Sequence, residues 1–287
     1  MEYVKTKLLA HPWADRILWL GLPLVAGILL ALLIPRPTIG MIYLRDAIYA
    51  ESAGDVTAQF RYAYDQPGIR AVVLVLDSPG GTVADTESLY LELMRLRKNK
   101  PVVVSIESMA ASGAYYLAVG ADYLMARPSS QVGNVGVRTV LPDAPAVYEE
   151  EASTGPYKFT GGSPDETLRL LDPLKASFYQ AVKLGRGKLL MTTPDNILSG
   201  RLFIGSEALK LGLIDGLGTQ SNAIDKAAGL AHVWNFETRD LRPLAVETGE
   251  DDVPAFFLET EEGAQTAYPR KPGVYYLYIP ESDRRLP

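Results

Sequence analysis

Ser112 lies in the run Ser108-Met109-Ala110-Ala111-Ser112-Gly113-Ala114-Tyr115-Tyr116, and a second segment, Asp77-Ser78-Pro79-Gly80-Gly81, ends 31 residues before it. The first offers a hydroxyl among small residues at the start of a helical pattern. A nucleophile needs such neighbours so that a substrate carbonyl can approach it. The second closes an apolar strand with a proline and two glycines, whose backbone N–H groups can face outward. A tetrahedral oxyanion needs two fixed N–H donors. Together the two segments can supply a nucleophile and a donor pair for acyl transfer.

A serine hydroxyl attacks only when a base takes its proton. The chain has no cysteine, which excludes thiolate catalysis, disulfides, cysteine-bound metals and a lipidated N-terminal cysteine. Its two histidines are His11, which precedes a long apolar run, and His232, which closes a helical pattern where a histidine serves as a favourable end charge. A histidine-rich metal site is not available, and no metal or other cofactor is expected. The base is then a lysine or a carboxylate. A free lysine, pKa about 10.4, is charged at neutral pH and accepts no proton until desolvation lowers that value.

These segments need a scaffold. The 287 residues are 47% hydrophobic and 22% charged, ordinary globular composition. The net charge of −6 and the lack of a basic stripe argue against a nucleic-acid partner. Residues Ile17–Ile34 form 18 consecutive positions without a charge, about 27 Å as a helix, close to the hydrocarbon thickness of a bilayer. The run ends Ile34-Pro35-Arg36-Pro37, which is no small-x-small cleavage site, so an uncleaved anchor is expected. Lys5, Lys7 and Arg16 precede it and Arg36 and Arg45 follow, which favours a cytoplasmic N-terminus and a cell-membrane protein whose main domain is extracytoplasmic.

Beyond the anchor, strand patterns (Ile39–Leu44, Ala71–Leu76, Pro101–Ile106, Tyr123–Ala126) alternate with helical ones (Ala50–Tyr64, the segment after Thr82, Ser112–Gly120). The uninterrupted run AVVLVL reads as a parallel strand buried on both faces. An α/β fold with a parallel sheet follows, and the loops after Leu76 and Ile106 leave its carboxyl edge together, where such sheets bind ligands. Thr82 and Asp85 can cap the helix whose apolar positions are Leu89, Leu93 and Leu96. Leu174–Leu184 is amphipathic, Arg201–Gly218 reads as strand, short helix and turn, and Asn222–Ala231 as a helix. Asp77 is read as satisfying loop N–H groups and Tyr115-Tyr116 as core. The divisions are 1–36, tail and anchor; 37–241, main domain; 242–287, a C-terminal extension with one possible strand in Val274–Ile279.

The segments DSPGG, SMAASGAYYLA, ADYLMARPSSQVGNVGV, GPYK and SGRLFIGSEALKLGLIDGLG resemble, in order, the signal peptide peptidase A family, over roughly Ile39 to Ala231. The resemblance implies a membrane-anchored serine endopeptidase with the Clp-protease/crotonase-like fold. It carries the nucleophile to Ser112 and the base to Lys158, in Gly155-Pro156-Tyr157-Lys158. It carries the oxyanion donors to Gly81 and Gly113, with Gly80 and Asn134 in support. It further implies homo-oligomers with active sites on an inner cavity, and peptide or protein substrates: remnant signal peptides and other unfolded apolar segments. The chain departs from the pattern in reading S-G-A-Y-Y at Ser112–Tyr116 and in placing Asn134 where a serine usually bonds the lysine amine. It also has Phe159-Thr160 after Lys158, where small or acidic residues are more usual. Alternatives are a catalytically weak membrane scaffold, a membrane protease that cuts stomatin-like partners, and an acyl-CoA hydratase or isomerase of the same fold.

Overall fold

The structure, a computed structural model, describes residues 19–27, 36–141, 154–155, 157–158 and 161–246, and the backbone of Phe257–Glu259, Gln265–Pro269 and Tyr275–Leu277. The chain divides into two compact units, Met1–Pro37 and Thr38–Pro287. In the first, residues 19–27 are helical with Trp19, Leu20, Leu22, Leu24 and Val25 exposed. The rest of the apolar run Ile17–Ile34 lies outside the described residues. No helix among the described residues is long and apolar enough to cross a membrane.

The second unit is built on one mostly parallel sheet. Its elements begin β1 (Thr38–Leu44), α1 (Ala50–Asp65), β2 (Ile69–Ser78), β3 (Gly80–Thr82), α2 (Val83–Arg97), β4 (Val102–Ala111), α3 (Gly113–Ala118), β5 (Tyr123–Ala126) and β6 (Gln131–Gly133). They continue with α4 (Pro164–Arg186), α5 (Pro194–Ile197), β7 (Leu202–Ile204), α6 (Gly205–Lys210), β8 (Gly216–Leu217), α7 (Gln220–Leu230), β9 (Glu237–Asp240) and α8 (Arg242–Ala245). The short strands β10 (Phe257–Glu259), β11 (Gln265–Pro269) and β12 (Tyr275–Leu277) complete the series. The sheet runs β7-β6-β4-β2-β1-β9, and β5 pairs with both β4 and β8. Only the β6–β7 pairing in it is antiparallel.

β2 behaves as its sequence requires. Ala71 to Leu76 are wholly buried, with Val72, Leu74 and Leu76 in the cluster beneath α1, α2 and α3, and Ala71, Val73 and Val75 in the cluster with Ala223, Ala227 and Ala228 of α7. Each valine or leucine so placed contributes roughly 1.5–3 kcal/mol relative to exposure. Both faces of the strand are therefore covered, which fixes its register against β1 and β4. At the start of α2, Thr82 accepts from the Asp85 N–H and donates to the Asp85 carboxylate, and Leu89, Leu93 and Leu96 are buried, as the pattern predicts.

β4, β9 and β3 go beyond the sequence reading. β4 extends to Ala111, five residues past Ile106; it meets β5 along Val103–Ile106 and β6 along Met109–Ala111. β9 joins the far edge beside β1. β3 is a strand rather than a plain loop, and it pairs antiparallel with β12 of the C-terminal segment.

Candidate active site

β4 delivers Ser112. The strand ends at Ala111, α3 begins at Gly113, and Ser112 between them has φ 52 and ψ −121, in the left-handed half of backbone space. A side chain there is strained by about 1–3 kcal/mol, and such outliers persist only where the surroundings enforce them. The surroundings do so: the Ser112 N–H donates to the Gly133 carbonyl at 2.8 Å, and its carbonyl accepts from Tyr116 N–H at 2.9 Å. The result is a sharp strand-to-helix turn that presents a serine hydroxyl, the local geometry of a nucleophile elbow. Ser112 is only 2% exposed, so its side chain is largely closed to water. Gly113 is the first residue of α3, and by helix geometry its N–H has no intrahelical acceptor.

α3 is anchored beneath this turn. Tyr115 is wholly buried and donates from its hydroxyl to the Leu213 carbonyl at 2.8 Å. Burial pushes its phenol far above the ordinary range, so it remains a neutral donor. Tyr116 packs edge-on against Tyr90 and tilted against Phe178, with its hydroxyl 3.2 Å from Ser177 Oγ; burial raises its phenol as well. The Tyr115-Tyr116 pair is core, as expected from sequence.

β2 and β3 deliver the glycine loop. Ser78 pairs with Ala110 across the sheet, so the loop leaving β2 and the turn leaving β4 emerge side by side, and α3 packs on β3. Gly80 has φ 95, and a Cβ on Gly81 would lie 1.7 Å from the Ile48 carbonyl oxygen, so a side chain at either position distorts the loop. Ile48 N–H donates to Gly80 O, and Thr82 N–H donates to Ile48 O, both at 2.8 Å. Backbone groups alternate along a strand, so the Gly81 N–H and C=O face the opposite edge. The Gly80 N–H is taken by Ser78 Oγ at 3.2 Å. Asp77 instead accepts from Ser108 Oγ at 2.9 Å, which corrects its assignment to the loop N–H groups: its carboxylate ties the two site segments to each other.

The remaining sequence-predicted residues lie as follows. Lys158 is exposed, in a turn at 157–158 on the connection from β6 to α4, and its N–H donates to Gly155 O at 3.2 Å. Among the described residues its side chain and that of Ser112 make no hydrogen bond with each other. Asn134 has φ 55; its side-chain amide donates to Gly200 O at 2.6 Å and its backbone N–H to Arg201 O at 2.8 Å. It thus ties the end of β6 to the start of β7. His232 is exposed just beyond α7. No cluster among the described residues could hold a metal ion.

One residue that holds the site was not read from sequence. Arg186, 3% exposed at the end of α4, makes a two-pronged pair with Asp215 at 2.7 and 2.9 Å and donates to Gly212 O at 2.9 Å. Asp215 also accepts from Leu124 N–H on β5. No local signal marks an ion pair between residues 29 positions apart; the apolar positions of α4 around Arg186 give only its inward face.

Comparison with known proteins gives the family. The sequence profile of peptidase family S49 matches residues 94–234, and that of Clp protease matches residues 38–133. Protease 4 of Haemophilus influenzae is 29% identical over 233 residues, 75% of this chain and 37% of that protein. Protease 4 of Salmonella typhi is 31% identical over 220 residues, 70% of this chain and 35% of that protein. The chain therefore spans little more than a third of the length of these two relatives. A relative from Synechocystis sp. is 32% identical over 198 residues, 64% of this chain and 69% of that protein. The chain belongs to peptidase family S49, the signal peptide peptidase A family of serine peptidases.

Proposed function

We propose that this chain is a membrane-anchored serine endopeptidase in which Ser112 and Lys158 form a catalytic dyad. The observation that carries the reading is the strained, buried Ser112 turn set beside the Gly80-Gly81 loop. Ser112 Oγ attacks the scissile carbonyl carbon while the Lys158 amine takes its proton. The resulting oxyanion is held by the N–H groups of Gly81 and Gly113. Collapse expels the amine product, which takes the proton back from Lys158, and leaves an acyl-serine that water hydrolyses with the same base. This role requires the β6–α4 connection, where Lys158 is exposed, to bring the amine to the hydroxyl.

The substrates are remnant signal peptides and other unfolded apolar segments, which would lie extended along the edge of β3 opposite Ile48. The anchor is the apolar run Ile17–Ile34, with the peptidase unit extracytoplasmic. A second reading, a catalytically weak scaffold of the same fold, is favoured by one observation: the Asn134 amide is committed to Gly200 O and is not placed to orient a lysine.

A fluorophosphonate serine probe and an apolar peptide substrate separate the two. A peptidase labels at Ser112, and Ser112→Ala abolishes both labelling and turnover. Lys158→Ala removes turnover down to the residual catalysis of the donors, and Lys158→Arg is nearly as damaging, because guanidinium does not deprotonate in proteins. Wild-type-like hydrolysis by Lys158→Arg would sink the dyad, and an unlabelled wild type would favour the scaffold.

A further inference from the structure

The edge of β3 opposite Ile48 is occupied. β12 runs antiparallel along it, with Tyr275 opposite Thr82, Tyr276 opposite Gly81 and Leu277 opposite Gly80. It also packs on α3, the helix that Ser112 opens, and on α2. Because Gly80 and Thr82 spend their outward groups on Ile48, Gly81 is the residue that turns its N–H and C=O to β12. The N–H assigned to the oxyanion therefore faces the chain's own C-terminal segment.

We infer that the segment around Tyr275–Leu277 is an intramolecular competitor for the peptide-binding edge, lying where a substrate strand lies and withdrawing the Gly81 donor while it is docked. The inference rests on reading Ser112 as a peptidase nucleophile. Strand addition uses main-chain hydrogen bonds, so an edge that accepts one extended segment accepts others of similar character. The occupant has the character proposed for substrates: Val274-Tyr275-Tyr276-Leu277-Tyr278-Ile279 is uncharged, aromatic and aliphatic, and is bounded by Pro272-Gly273 and Pro280. Covering the edge also blunts a strand that would otherwise pair with other chains. Tethering sets the occupant's effective concentration at about millimolar, so a short free peptide displaces it poorly and a long unfolded segment, held at several points, displaces it well.

The test uses the full chain. Tyr276→Pro and Leu277→Pro each remove an N–H and a pairing-competent backbone from β12 while leaving the sheet and Ser112 intact. Amide exchange resolved at single residues reads docking directly. In the wild type the Gly81 N–H is protected; in the proline variants it exchanges fast, while the Thr82 N–H, bonded to Ile48 O, stays protected as the internal reference. The rate of fluorophosphonate labelling at Ser112 rises roughly tenfold in the variants, as for a site free in one molecule in ten of the wild type. A synthetic Val274–Ile279 peptide added to Tyr276→Pro restores protection of Gly81 and slows labelling. Unchanged Gly81 exchange and unchanged labelling in both variants overturn the inference and leave the peptidase reading standing. Faster Gly81 exchange with no labelling of Ser112 in any form shows the opposite: the docked strand is real, while both the peptidase reading and the competitor role fall.

Discussion

A serine at φ 52 and ψ −121 occupies a conformation that glycine adopts at little cost, and the protein keeps the side chain there. The strain of about 1–3 kcal/mol exceeds the roughly 0.5–1 kcal/mol that a glycine's extra unfolded-state freedom costs. Ser112→Gly is therefore expected to be more stable than Ser112→Ala by about 1 kcal/mol, a shift of roughly 2–4 °C in Tm for a domain of this size. Both variants lose the hydroxyl. Thermal unfolding of the pair decides it: an alanine variant that melts at or above the glycine variant shows that the backbone is relaxed at this position. At this scale the sequence was legible in residue type and blind to conformation. Small neighbours around Ser112 and the two glycines after Pro79 pointed to the proposed chemistry. The sign of φ at Ser112 depends on its N–H reaching Gly133 O, a contact made only when β6 lies beside β4.

Between elements, the Arg186–Asp215 pair carries more than its local sequence suggests. It joins the C-terminal end of α4 to the turn before β8, and through Leu124 N–H to β5. Removing one member of a buried pair strands the other charge, at a cost of about 3–5 kcal/mol. Arg186→Ala is expected to lower unfolding free energy by that order in denaturant titration. Arg186→Lys recovers only part of it, since an ammonium cannot reproduce the two parallel bonds; full recovery by lysine would show that charge alone matters here. Elements with an unbroken pattern were legible: β2 as an apolar run, α2 through its cap and leucines. Those missed had their signal interrupted. Glu107 and Ser108 break the apolar run of β4, and Glu237–Asp240 of β9 are all exposed, so the strand has no buried face in its sequence. The first half of α4 carries exposed Leu168 and Leu170, so its amphipathic pattern begins only near Leu174; its true start is fixed by the box in which Ser163 and Glu166 bond each other's backbone N–H.

On the scale of the whole molecule, the family resemblance predicts assembly, and the surface supplies a reason for it. Leu168, Leu170, Leu184, Leu189 and Met191, all on α4 or the segment after it, are 50 to 79% exposed. Apolar side chains gathered along one stretch of chain mark a surface that meets another. A stable interface buries roughly 1,200–2,000 Å² in total, more than five side chains provide, so polar neighbours such as Lys183 and Lys188 take part at its rim. The unit Thr38–Pro287 is compact by itself, so a fragment beginning at Pro37 tests this without the apolar run that precedes it. Sedimentation is expected to show a homo-oligomer. Leu184→Glu combined with Met191→Glu places two carboxylates in the contact, where burial without partners opposes association, and is expected to shift the fragment to smaller species with an unchanged Tm for the monomer fold. If assembly also completes the sites, labelling at Ser112 falls in step with the loss of the oligomer. A wild-type fragment that sediments as a monomer at all concentrations and is fully active on peptides overturns the prediction, and leaves the exposed leucines of α4 without a partner of this kind.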